Sequence, residues 1–233
     1  WSSGDKSQNK EEILDPLSKA NFVWFSIDYR LAPKHRWPAC LEDVQTAIRW
    51  VKQHAAEYKG DPERIALIGY SAGGHLACSA AIWAKADTRV QAVVGFAAPI
   101  DHEADNQRRG GLSQSMQNLL DLPEKMDKEA LKRLHQISPI WDVGAGLPPF
   151  LLIHGTADQS VPYQQSVDLQ AVLEKNDVLC ELITIEGAGH RIGQWEQYDS
   201  DYKEKMINWL QKTLAREIVV SADGSGDFIT VQA

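Results

Sequence analysis

The sequence predicts an α/β fold, a doubly wound and mostly parallel sheet with a small helical cap insertion. Three observations predict it: short apolar runs without polar alternation, amphipathic stretches between them, and a loose polar segment from Pro99 to Pro148 that interrupts this order. An uninterrupted apolar run suits a strand covered on both faces. Strands that alternate with helices are joined by crossovers, which leave the sheet parallel and put its binding crevice at the carboxyl ends of the strands.

Taken in order, Phe22-Val23-Trp24-Phe25, between Asn21 and Ile27, predicts the first strand. Leu41, Val44, Ile48 and Val51 recur at helical spacing and predict a helix. Ile65 to Ile68 predicts a strand, Ala72 to Ala84 the helix after it, and Ala92 to Phe96 the next strand. Residues 99–148, rich in Asp, Gln, Arg and Gly around a helical stretch from Lys128 to His135, read as the cap. Phe150 to Ile153 and Leu179 to Ile185 predict two more strands, separated by a helix carrying Val167, Leu169, Val172 and Leu173. The last helix, Tyr202 to Leu214, has Met206, Trp209, Leu210 and Leu214 on one face. Beyond it the chain becomes turn-rich at Ser221-Ala222-Asp223-Gly224-Ser225-Gly226, so residues 1–216 read as one domain and 217–233 as a linker and the start of another.

A chain of 233 residues is long enough for one sizeable core. No apolar run approaches the ~20 residues of a membrane helix, so no bilayer partner is expected. The charge is −8, with 24 basic against 32 acidic residues and no basic run, which argues against nucleic acid. Cys40, Cys78 and Cys180 are far apart and odd in number, and they read as small buried apolar groups. Neither His-Glu-x-x-His nor Cys-x-x-Cys occurs, so no metal and no cofactor is expected. The opening Trp1-Ser2-Ser3-Gly4-Asp5-Lys6 has neither an initiator Met nor a secretion signal, and localisation is not legible there.

The chemistry centres on Gly69-Tyr70-Ser71-Ala72-Gly73, followed by Gly74. Between a predicted strand and a predicted helix, this pattern suits a serine presented on a sharp turn, where small neighbours avoid collision. A serine nucleophile needs a base to take its proton and a carboxylate to orient that base, in the chain order Ser, acid, His for this motif. Asp158 leaves the carboxyl end of the Phe150–Ile153 strand and is the best acid; Asp142 precedes that strand and Asp168 lies in a helix pattern. His190, in Gly187-Ala188-Gly189-His190, is the histidine beyond Asp158 and becomes the base. His75 reads as a packed structural histidine, His154 as a turn residue, and Asp28-Tyr29-Arg30 as a polar network beneath the site, with contact to substrate as the alternative.

Asp28-Tyr29-Arg30-Leu31-Ala32-Pro33, the Ser71 segment through His75-Leu76-Ala77, His154 to Pro162 and Gly187 to His190 together resemble hormone-sensitive-lipase-like esterases of the α/β-hydrolase superfamily, over roughly Trp1 to Leu214. The branch looks like bacterial carbohydrate acetylesterases. In those relatives a His-Gly-Gly-Gly loop precedes a tryptophan and a Gly-Asp-Lys segment, like Trp1 and Gly4-Asp5-Lys6 here. The resemblance therefore implies a domain lacking its first strands and that loop, with the backbone N–H of Ala72 as the oxyanion donor left from the motif and weak or no activity in isolation. Asp223 to Ala233 resembles the opening of pectin methylesterases, implying a fusion to a β-helix domain. Together these resemblances imply a serine esterase that removes acetyl groups from xylan or pectin, secreted or periplasmic in a bacterium. A generic short-chain carboxylesterase, a serine peptidase of the same fold and a non-catalytic binding module remain as alternatives.

Overall fold

The computed structural model describes residues 1–215. In chain order, its main elements are α1 (Asp15–Lys19), α2 (Ala39–His54), β1 (Ala66–Tyr70), α3 (Ala72–Ile82), β2 (Ala92–Phe96), α4 (His102–Arg109), α5 (Gln114–Leu120), α6 (Lys128–Gln136), β3 (Phe150–Gly155), α7 (Gln164–Lys175), β4 (Cys180–Ile185) and α8 (Tyr202–Thr213). The four strands form one parallel sheet in the order β1-β2-β3-β4. Val93 pairs with Phe150 and Phe150 with Cys180, so the register runs level across the centre.

Every residue of β2 and β3 is buried, because successive side chains enter two different cores. Val93, Phe150 and Leu152 join α2, α3, α5, α6 and α7 on one face. Ala92, Val94, Phe96, Leu151 and Ile153 join Leu17 of α1 and Met206, Trp209 and Leu210 of α8 on the other. This explains the lack of alternation in the sequence: both parities of each strand leave water, each large side chain contributing about 1.5–3 kcal/mol of burial. The predicted stripes of α2 and α8 face these cores, with Leu41, Val44 and Ile48 buried on α2.

The strand expected at Phe22 to Ile27 is absent. The segment carries no ladder, and Val23 and Trp24 are 44% and 39% exposed. Side chains fasten it instead: Ser26 Oγ donates to the Lys6 carbonyl at 2.6 Å, Trp24 Nε1 donates to Ser18 Oγ at 2.8 Å, and Phe25 lies edge-on to Trp50 and Tyr58. Apolar composition makes a strand only where a second backbone supplies hydrogen bonds, and among the described residues β1 pairs with β2 alone.

Between β2 and β3 the chain forms α4, α5 and α6, each started by a short polar side chain that accepts from the first turn. Asp101 accepts from Ala104 N, Ser113 from Met116 N, and Asp127 from Glu129 N and Ala130 N, each cap contributing about 1 kcal/mol. The expected linker and second-domain start at 217–233 lie outside the described residues. No helix among the described residues is long and apolar enough to cross a membrane.

Candidate active site

β1 ends at Tyr70 and α3 begins at Ala72, leaving Ser71 alone to turn the chain. Its φ of 52° and ψ of −117° lie where a side chain is strained. Two backbone hydrogen bonds hold it there, Ser71 N to Phe96 O at 2.8 Å and His75 N to Ser71 O at 2.9 Å. The glycines around it have unequal reasons. A Cβ on Gly69 would sit 2.1 Å from the Gly73 carbonyl oxygen, and one on Gly74 2.9 Å from Ala98 Cβ, whereas one on Gly73 would meet nothing within 4 Å. The crowding expected on both sides of Ser71 is thus real at Gly69 and falls on Gly74 rather than Gly73.

The structure brings Ser71, His190 and Asp158 together from β1, the β4–α8 loop and the β3–α7 loop. His190 Nδ1 lies 2.6 Å from Asp158 Oδ2, and His190 Nε2 lies 3.0 Å from Ser71 Oγ. An ionised carboxylate only accepts, so the Nδ1 proton points to Asp158 and Nε2 is left to accept from the Ser71 hydroxyl. The His190 loop is anchored twice more: Tyr70 Oη donates to the His190 carbonyl at 2.6 Å, and Trp195 Nε1 to the Gly189 carbonyl at 2.7 Å. It also packs against the acid loop, with Ala157 N donating to Ala188 O at 3.0 Å. A Cβ on Gly155 would lie 2.3 Å from that same oxygen, so β3 must end in glycine for the loops to meet.

Asp158 accepts from four N–H groups: Ser160 N and Val161 N at 2.8 and 2.9 Å on Oδ1, and His190 and His154 on Oδ2. Burial alone would raise its pKa, but the hydrogen bonds from His154, His190 and Val161 outweigh that and hold it well below the usual carboxylate range. His154 departs from its expected place in a turn. It belongs to β3 and is fully buried, because the strand continues two residues beyond the apolar run.

Ala72 is the first residue of α3, and a first-turn N–H has no acceptor within its own helix. His75 is the buried structural histidine expected: Trp1 Nε1 donates to its Nδ1 at 3.0 Å and its Nε2 bonds the Ile137 carbonyl at 2.8 Å, tying α3 to the end of α6. Burial lowers its pKa from 6.5 to about 4. Arg30 pairs with Asp43 and Glu42, and Asp28 with Lys6, so both charges of Asp28-Tyr29-Arg30 are taken up by ion pairs. The rejected acids sit elsewhere, Asp142 accepting from Trp83 Nε1 and Asp168 from Gln164 Nε2. Among the described residues no three His, Cys, Asp or Glu side chains converge as metal ligands. Sequence reasoning missed the anchoring parts played by Tyr70, His154 and Trp195. The available signal was Tyr70 beside the nucleophile and His154 four residues before the acid.

A family model described as BD-FAE matches residues 1–173. The chain belongs to the BD-FAE family. Among individual proteins, it is 34% identical to the "Probable carboxylic ester hydrolase LipM" of Mycobacterium tuberculosis, over 71% of this chain and 41% of that one. A solved structure described as a truncated form of carbohydrate esterase from gut microbiota superposes with TM-score 0.78 and 29% identity, over 92% of this chain and 82% of that one. The acetyl ester-xyloside bifunctional hydrolase from Caldicellulosiruptor lactoaceticus gives TM-score 0.70 and 26% identity, over 84% and 74%. The BD-FAE match and these neighbours agree with the α/β-hydrolase architecture described above. The chain spans half or less of the length of three curated relatives, 41%, 50% and 43%.

Proposed function

We propose that this chain carries the catalytic site of a serine carboxylic ester hydrolase working through an acyl-enzyme. The observation that carries this reading is the continuous relay from Asp158 Oδ2 through both nitrogens of His190 to Ser71 Oγ, at 2.6 and 3.0 Å. As Ser71 Oγ attacks the ester carbonyl, its proton passes to His190 Nε2, and Asp158 stabilises the imidazolium. The Ala72 N–H faces the developing oxyanion, a contact of the kind worth about 10²–10³ in rate. When the tetrahedral adduct collapses, the leaving alcohol takes the proton from His190. Water then gives a proton to His190 and attacks the acyl group, releasing the acid and restoring Ser71.

The substrate we infer is an acetyl ester on a plant cell-wall polysaccharide, xylan or pectin. This reading is supported by the carbohydrate esterase and acetyl ester-xyloside hydrolase among the structural neighbours, and by the pectin methylesterase-like residues Asp223 to Ala233, which would make the chain part of a secreted or periplasmic fusion. A generic short-chain carboxylesterase is the second reading, favoured by the name of the LipM relative. A fluorophosphonate probe should label Ser71, and Ser71→Ala should abolish labelling and lower ester hydrolysis by about 10⁴–10⁶-fold. Acetate release from acetylated xylan or pectin supports the polysaccharide substrate. Cleavage of p-nitrophenyl acetate without release from either polymer supports the generic reading.

A further inference from the structure

We propose that His154 is a positioning residue for Asp158, a second imidazole on the acid that sets both where its carboxylate points and how strongly it draws on His190. This rests on the serine hydrolase reading. His154 Nε2 faces two acceptors, Asp158 Oδ2 at 3.2 Å and the Val161 carbonyl at 3.0 Å. Two acceptors require a proton on Nε2, shared between them. On the other side of the ring, His154 Nδ1 lies 2.8 Å from Ser166 Oγ, whose hydroxyl donates to it. His154 is fully buried and Ser166 is 1% exposed, so no water competes for these contacts.

Two consequences follow. His154 stands on β3, buried on both faces, whereas Asp158 and Val161 stand on the loop beyond it. One N–H thus fastens the loop at both the acid side chain and the Val161 backbone, and Ser166, from α7, fixes the ring that does so. The second consequence is electronic. Asp158 Oδ2 divides its charge between two N–H donors, so the His190 imidazolium receives less stabilisation than from an oxygen bonded to His190 alone. The titratable and charged groups near this pair include Tyr70 of β1, with Arg191 and Glu12 near it, Arg109 of α4, which donates to the Ser160 carbonyl of the acid loop, and Tyr163, whose ring lies edge-on to His154 at 5.8 Å. None of them bonds Asp158 Oδ2.

The test compares the full wild-type chain with His154→Phe, which keeps a ring without the donor, His154→Gln, which keeps an N–H, and Ser166→Ala, which frees the ring. With p-nitrophenyl acetate, His154→Phe should lower kcat on the order of ten- to a hundredfold with KM nearly unchanged, and move the acidic limb of kcat/KM upward by about half a pH unit or more. His154→Gln should recover most of both, and Ser166→Ala should move the limb in the same direction by less. A folded His154→Phe with a wild-type limb and kcat overturns the proposal, as does His154→Gln behaving like His154→Phe. If His154→Phe does not fold, an unshifted Ser166→Ala profile overturns it. The low-field proton resonance of the Asp158–His190 bond, recorded in a Ser71→Ala background, should shift on removing the His154 donor. That readout needs no turnover, so it tests His154 by itself, while failure of a fluorophosphonate probe to label Ser71 would sink the hydrolase reading.

Discussion

Ser71 occupies a backbone conformation that costs a non-glycine residue about 1–3 kcal/mol, and the surrounding hydrogen bonds hold it there. Its partners are held as tightly: His190 by Tyr70 and Trp195 through backbone carbonyls, and Asp158 by four N–H donors. Asp158→Asn should leave the fold intact but present an amide N–H to His190, forcing the wrong tautomer. Steady-state hydrolysis should then fall by about 10⁴-fold. Tyr70→Phe removes the hydroxyl bonded to the His190 carbonyl and keeps the ring. A loss of roughly tenfold in kcat is expected, in line with about 1–1.5 kcal/mol for that hydrogen bond, read against unchanged fluorophosphonate labelling at saturation.

The turn from β1 to α3 sets the site's precision at the level of elements. Gly69 has no room for a methyl group and Gly73 has open space, although the sequence motif treats them alike. Gly73 lies within α3, where Gly costs up to about 1 kcal/mol relative to Ala. Gly73→Ala should therefore raise the thermal midpoint by a few degrees or leave it unchanged, while Gly69→Ala should lower it steeply or prevent folding, as calorimetry would report. The same limit explains the missing strand at Phe22 to Ile27. Its apolar residues satisfied the pattern, but pairing is a relation between two segments, and none among the described residues lies beside it in a ladder.

Across the whole molecule, two buried histidines set an acid limit. Burial lowers His75 from 6.5 to about 4, and it pushes His102, whose Nε2 has no hydrogen-bond partner among the described residues, well below 6.5. Both pKa values are depressed on folding, so their contribution is complete above about pH 6.5 and is lost as the pH falls, when only unfolded chains take up the protons. For His75 the full interval corresponds to roughly 3 kcal/mol. Urea midpoints should decline from pH 7 to pH 5, and His102→Phe should flatten that decline. A flat wild-type profile would contradict the burial of these rings. The Asp158 contribution runs in the same direction, complete above the usual carboxylate range and lost below it.

The sequence by itself determined the alternation of strands and helices, the serine turn, and the order Ser71, Asp158, His190, because apolar runs, glycine spacing and chain order are local or linear properties. It also marked the stretch between Phe96 and Phe150, where regular periodicity lapses, as an insertion carrying a helix from Lys128. Only the tertiary structure decided that Phe22 to Ile27 is not a strand, that His154 stands inside β3 against the acid, and that Tyr70 and Trp195 anchor the His190 loop. Those facts depend on which distant backbone or carboxylate faces a side chain. Residues 119 positions apart meet at 3.0 Å in the Ser71–His190 contact, and no local pattern records such a meeting. The sheet creates it by ending its strands on one edge, where their loops converge.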